Sequence, residues 1–103
     1  NETGTPSSVL EVKNTEELII TFETANNSWL DVNDINGTAL YSNNFSKDAS
    51  PMEMDLSDKD YVRLNVGRAV DVTIKINGEP IEFPFDPSLP ENYHQVIEVK
   101  VVK

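Results

Sequence analysis

Apolar and polar residues alternate along most of this chain, most cleanly between residues 61 and 83. Val70, Val72, Ile74 and Ile76 are interleaved with Asp71, Thr73, Lys75 and Asn77. A period of two sends the four aliphatics to one face of a strand and the polar residues to the other. Asn77-Gly78 follows, a pair that supplies the positive φ values of a tight hairpin turn. Pro80-Ile81-Glu82-Phe83 is therefore expected to fold back beside the strand. Val62, Leu64 and Val66 make a second alternating run that ends at Gly67. Three strands in about twenty residues predict a meander.

The rest of the chain reads in the same way. Residues 1–8 are small, polar and unpatterned, which predicts a linker stub ahead of a single domain over residues 9–103. Leu10 and Val12 open a short strand. Residues 17–23 form a firmer one, with Leu18, Ile20 and Phe22 on one face and β-branched Ile19, Ile20 and Thr21 favouring the pleat. After a turn at residues 25–27, residues 28–34 place Leu30 and Val32 inward and Trp29 and Asp31 outward. Asn36-Gly37 closes a hairpin into residues 38–42. Residues 43–50 are polar apart from Phe45 and read as loop. Met52, Met54 and Leu56 mark another strand, and residues 57–60 a turn. Three prolines within residues 84–90 exclude a central strand there and predict an edge or an irregular crossover. Ile97, Val99 and Val101 alternate in a closing strand.

About eight short strands separated by turns, with little helical periodicity, predict an all-β fold. The expected form is an antiparallel β-sandwich of immunoglobulin-like architecture, with a barrel as the alternative. The Cys-Trp-Cys core of antibody domains is absent, because the chain has no cysteine. At 103 residues the chain buries roughly two-thirds of its unfolded surface, enough to fold without staples.

Charge narrows the partners. Eighteen acidic residues face eight basic ones, a formal charge of −10. Phosphate backbones and anionic lipid surfaces would repel such a chain, so no nucleic acid is expected as a partner. A partner that reads charge should bring a cationic patch.

Candidate chemistry is sparse. His94 is the single histidine and reads as a surface residue at a strand entrance. No nucleophile elbow, phosphate loop or Cys/His metal spacing occurs, so neither a catalytic residue nor a cofactor is expected. Asp31, Asn33, Asp34, Asn36 and Gly37 have the composition of a calcium loop. The spacing fails, because placing Gly37 sixth puts Val32 first and Asn43 twelfth. Asp55, Asp58 and Asp60 also cluster, but turns recruit aspartate for backbone bonding. No metal site is expected. Asn-x-Ser/Thr triplets at Asn1, Asn26, Asn36 and Asn44 read as turn chemistry. The aromatics give the best hint of binding. Trp29, Tyr41 and Phe45 lie near one hairpin and could stack on a sugar ring or anchor a protein contact. The competing expectation buries Trp29 beneath the proline-rich crossover, against Phe85.

Three segments carry a resemblance. They are the 18–22 strand followed by Ser28-Trp29-Leu30-Asp31-Val32 and Asn36-Gly37; Leu64-Asn65-Val66-Gly67-Arg68-Ala69; and residues 72–76 followed by Asn77-Gly78. In order and spacing this resembles the C-terminal extracytoplasmic domain of the RodZ family, over residues 18–102. The 45–48 loop lacks a glycine common in the family, and residues 57–60 replace a Gly/Pro-containing turn. The resemblance implies a non-enzymatic β-sandwich on the outer face of the bacterial cytoplasmic membrane. A single transmembrane helix upstream of Asn1 would tether it, in a protein of cell-shape maintenance and elongation. The implied partners are outer domains of the cell-elongation machinery, with peptidoglycan as a second candidate.

Overall fold

The computed structural model describes residues 7–13, 16–83 and 85–102. Nine strands form within them: β1 (Ser7–Lys13), β2 (Ile19–Thr24), β3 (Asn27–Asp34), β4 (Ala39–Ser46), β5 (Met52–Asp55), β6 (Tyr61–Val66), β7 (Val72–Ile76), β8 (Glu79–Pro80) and β9 (Gln95–Val102). Three short 3₁₀ turns join them and no α-helix occurs among the described residues. The strands make a five-stranded sheet in the order β1-β9-β6-β3-β4 and a four-stranded sheet in the order β5-β2-β7-β8.

One core joins the two sheets. Ile20, Phe22 and Ile74 come from the smaller sheet; Leu30, Val32, Val62, Leu64, Val66, Ile97 and Val99 come from the larger. All are essentially fully buried. Each such side chain contributes roughly 1.5–3 kcal/mol through the apolar area it removes from water. Across the layers, the Phe22 and Phe45 rings meet edge to face with centroids 6.4 Å apart. A pair of this kind adds about 0.5–1.5 kcal/mol beyond its area.

The Asn77-Gly78 turn forms as expected. Asn77 has φ +52° and Gly78 φ +86°, so both central residues are left-handed. The Asn77 side chain also bonds the β2 entrance, accepting from Ile19 N–H at 2.8 Å and donating to Glu17 O at 2.9 Å. At the other hairpin, Asp34 Oδ1 accepts from the N–H groups of Asn36 and Thr38, both at 2.9 Å. Within the Asx-rich stretch, Asp34 thus spends its carboxylate on the turn.

Several expectations are corrected. β1 starts at Ser7, so its first two residues fall inside the stretch read as linker; residues 1–6 lie outside the described residues. β1 pairs β9 in parallel, so the larger sheet is mixed. Residues 61–83 are not a meander: β6 belongs to the larger sheet and β7 to the smaller. Residues 69–71 form a 3₁₀ turn that carries the chain between layers. Helical dihedrals break the period of two there, and Val70 points out of the core, 41% exposed. β4 runs on to Ser46 through the stretch read as loop, because Phe45 lies opposite Ser28 and fills the core.

Candidate functional site

The outward side of the larger sheet carries a hydrogen-bonded row that crosses three strands. Asp31 and Asn65 are directly opposite on β3 and β6, and Asp31 and Ser42 on β3 and β4. Asp31 Oδ1 accepts from Ser42 Oγ at 2.6 Å, and Oδ2 accepts from Asn65 Nδ2 at 3.1 Å. The Trp29 indole Nε1–H donates to the same Oδ2 at 2.8 Å. Trp29 and Asp31 are two residues apart on one strand, so the pleat sets both on one face. Asn65 Oδ1 faces His94 Nε2 at the end of the row. Because Asn65 gives its amide hydrogens to Asp31 and offers only an acceptor to His94, the imidazole must donate from Nε2.

Burial raises the Asp31 pKa. The bonds from Ser42, Trp29 and Asn65, with the Arg63 charge nearby, together outweigh that effect and hold the carboxyl below its usual value. The carboxylate is thus the anchor of the row, and its donors are committed to it. Trp29 stands outward, 49% exposed, with its indole pinned at one end.

A second contact set borders the row. Gly67 N–H donates to Trp29 O at 2.8 Å, and Arg68 N–H to Ser28 Oγ at 2.9 Å. A Cβ on Gly67 would lie 3.1 Å from Trp29 Cβ, so glycine lets β6 run close to the Trp29 backbone. The Arg68 guanidinium lies over the Tyr93 ring, 4.8 Å from its centroid, and also pairs with Asp71.

The three aromatic candidates are not brought together. Trp29 is the one that faces outward. Phe45 is fully buried and belongs to the core. Tyr41 lies opposite Val32 and packs half-buried against the core, on the other side of the sheet from Trp29. The expectation that Trp29 packs beneath the crossover is also overturned, since its indole bonds Asp31 in the open. Sequence reasoning missed the partners Ser42 and Asn65. Asp31 was findable, because a residue two positions after an outward Trp on a strand shares its face. Ser42 and Asn65 depend on cross-strand register, which local pattern does not encode. Among the described residues no group of three or more His, Asp or Glu is placed to hold a metal ion.

Comparison with known proteins gives a consistent picture. The family model described as the RodZ C-terminal domain matches residues 21–88. The chain is also similar to the uncharacterized membrane protein YmfM of Bacillus subtilis (strain 168), 29% identical over 77 residues. That alignment covers 75% of this chain and 26% of the relative, so the chain spans about a quarter of the protein it matches. No solved structure matches. No helix among the described residues is long and apolar enough to cross a membrane. The matched span runs from β2 into the crossover after β8 and takes in Trp29, Asp31, Asn65 and Gly67. By that match, the chain belongs to the RodZ C-terminal domain family.

Proposed function

We propose that this domain is the non-enzymatic, extracytoplasmic interaction module of a RodZ-like bitopic membrane protein, acting in bacterial cell-shape maintenance and elongation. Family membership supports the cell-shape role, and the printed name of the B. subtilis relative supports the membrane setting. The observation that carries recognition is the half-exposed Trp29, pinned beside the polar groups of Asp31, Ser42 and Asn65. A rigid aromatic that forfeits little entropy on contact is a common anchor of protein interfaces. The polar groups around it bond one another, with Trp29, Ser42 and Asn65 all donating to the Asp31 carboxylate. The proposed partners are outer domains of cell-elongation proteins. Titrating these domains into the isotope-labelled chain should shift amides of Trp29, Asp31, Ser42 and Asn65, and Trp29→Ala should weaken the contact. Silence from all such domains would overturn the reading.

A second reading takes the same face as a sugar platform. Asn27, Asn33, Ser42 and Asn44 surround Trp29 and Asp31 with uncharged amides and hydroxyls, which suit a neutral glycan strand, including peptidoglycan. Trp29 is the sole tryptophan, so its fluorescence reports on this idea directly. Emission unmoved by muropeptides would rule it out.

A further inference from the structure

We propose that the Trp29 site receives its partner as an added strand: an extended, arginine-bearing segment that pairs with the open edge of β4. This rests on the reading of the Trp29 face as a protein interface, and it names the form and charge of what binds there. β4 is an outermost strand of the larger sheet, and among the described residues no strand pairs with its far side. Lys47 N–H donates to Asn26 O at 3.0 Å, so Lys47 faces β3, and with a period of two so do Phe45, Asn43 and Tyr41. Ser42, Asn44 and Ser46 therefore turn their N–H and C=O groups away from the sheet. The register shifts between Val32 and Asn33, beyond this run, so the ladder is regular from Tyr41 to Ser46.

One outward donor is covered. Asn43 Oδ1 accepts from Asn44 N–H at 2.8 Å. Asn43 is exposed, so its amide yields that place to an incoming carbonyl. Ser42 and Ser46 have no such cover among the described residues. The other outer strands are guarded. β1 carries Glu11 and Lys13, β5 is four residues long with Glu53 and Asp55, and β8 is only Glu79–Pro80. Short length, charge and proline all discourage pairing at an edge. β4 is eight residues long and holds neither a charge nor a proline. Such an edge accepts an extended peptide through its backbone and reads alternate side chains beside it.

Register and charge name the occupant. Asn44 lies opposite Trp29, and Ser42 opposite Asp31. An antiparallel strand beyond β4 sets one side chain in line with Trp29 and another, two residues away, in line with Asp31. Asn44 and Ser42 between them are short. A long side chain passes over them to the open face of the indole and to Asp31 Oδ1, which accepts from Ser42 alone among the described residues. Arginine suits both places, because its planar guanidinium stacks on an aromatic face and bonds a carboxylate in a fork. The formal charge of −10 favours a partner of the same sign as arginine.

The test uses the isotope-labelled chain and a capped octapeptide of alternating arginine and threonine, with a glutamate–threonine octapeptide as its counterpart. At a basic-peptide concentration about ten times its Kd, hydrogen exchange at Ser42, Asn44 and Ser46 should slow about tenfold. Asn43 and Phe45, which already face β3, should change little. Asn44→Pro removes an outward N–H and keeps Trp29, Asp31 and Ser42; it should weaken binding about tenfold or more at an unchanged melting temperature. Trp29→Ala should weaken it about threefold. Methylating the arginine backbone nitrogens, which face β4 when the side chains face Trp29, tests the ladder without touching the fold and should abolish binding. No slowing at millimolar peptide, equal slowing from the acidic peptide, or indifference to methylation would overturn the proposal. If shifts at Trp29 persist with the methylated peptide, the Trp29 face stands as an interface and the added strand fails. Slowed exchange in the chain alone, growing with its own concentration, would assign the edge to a second copy and overturn the proposal too.

Discussion

Trp29 donates its indole N–H to the carboxylate of Asp31, two residues along the same strand, at 2.8 Å. The ring is held by its polar end while its faces stay open. The bond also ties an exposed aromatic to the row that joins β4, β3 and β6.

Asp31→Ala should release the ring. The Trp29 indole proton signal should lose its distinct shift and its dispersion on substitution. Ser42 and Asn65 lose their acceptor as well. Such bonds contribute about 0.5–1.5 kcal/mol net each, and at this exposed site the combined loss should stay near the lower figure. Urea unfolding together with the indole resonance tests both parts.

Phe45→Ala and Trp29→Ala should separate sharply. Phe45 is fully buried against Phe22, and its truncation should cost about 3–5 kcal/mol, a large share of a small domain's stability. Trp29 is half-exposed, and its truncation should cost about 1 kcal/mol or less. Thermal melts of the two variants would reveal a reversed order if these assignments were wrong.

Gly67→Ala should strain the contact between β6 and Trp29. The new methyl would meet Trp29 Cβ at 3.1 Å and Trp29 O at 3.4 Å, with backbone on one side and little room to yield. A cost of about 1–2 kcal/mol is expected, as for other overpacked sites. Shifts at Ser28, Trp29 and Arg68 amides should accompany it.

Acid should destabilise the fold in a defined window. The Ser57 hydroxyl and then its N–H hold Asp55 below the usual value of 3.8, and the Ser88 hydroxyl and N–H do the same for Asp86. Asp31 joins them, its bonds overcoming burial. Each folded pKa lies below its unfolded value. The contribution is therefore complete above about pH 4 and is lost as pH falls through the folded values. Melting temperature against pH should decline below that point, and Asp31→Asn, Asp55→Asn and Asp86→Asn should each flatten the decline. Tyr61 acts with the opposite sign. Burial, then its 2.7 Å hydrogen bond to Glu98, raises its pKa above 10.0. Its contribution is present below that value and is lost as pH rises through the raised one.

Much of this was legible before any coordinates. Ile20, Phe22, Leu30, Val32, Leu64, Ile74 and Ile97 were placed by period two alone, because one buried face imposes that pattern locally. Asn77-Gly78 was legible because its backbone demand is local too. Phe45 was not, since a lone aromatic in a polar run has no neighbours to set a period. Val70 misled for the opposite reason: it continues the alternation in sequence after the backbone has left it. The parallel pairing of β1 with β9 joins residues about ninety apart, and only register could reveal it. The Trp29 face needed register as well, and so sequence assembled the wrong aromatic trio.

That parallel pairing has a mechanical consequence. β1 and β9 run side by side for seven paired positions, from Ser7 beside Val96 to Lys13 beside Val102. Tension applied at residue 7 and at residue 102 pulls the two strands lengthwise past each other. The ladder is then sheared as a block, with all its rungs sharing the strain, instead of being peeled open one rung at a time. A domain wired in this way yields to such a pull only when the whole ladder gives at once.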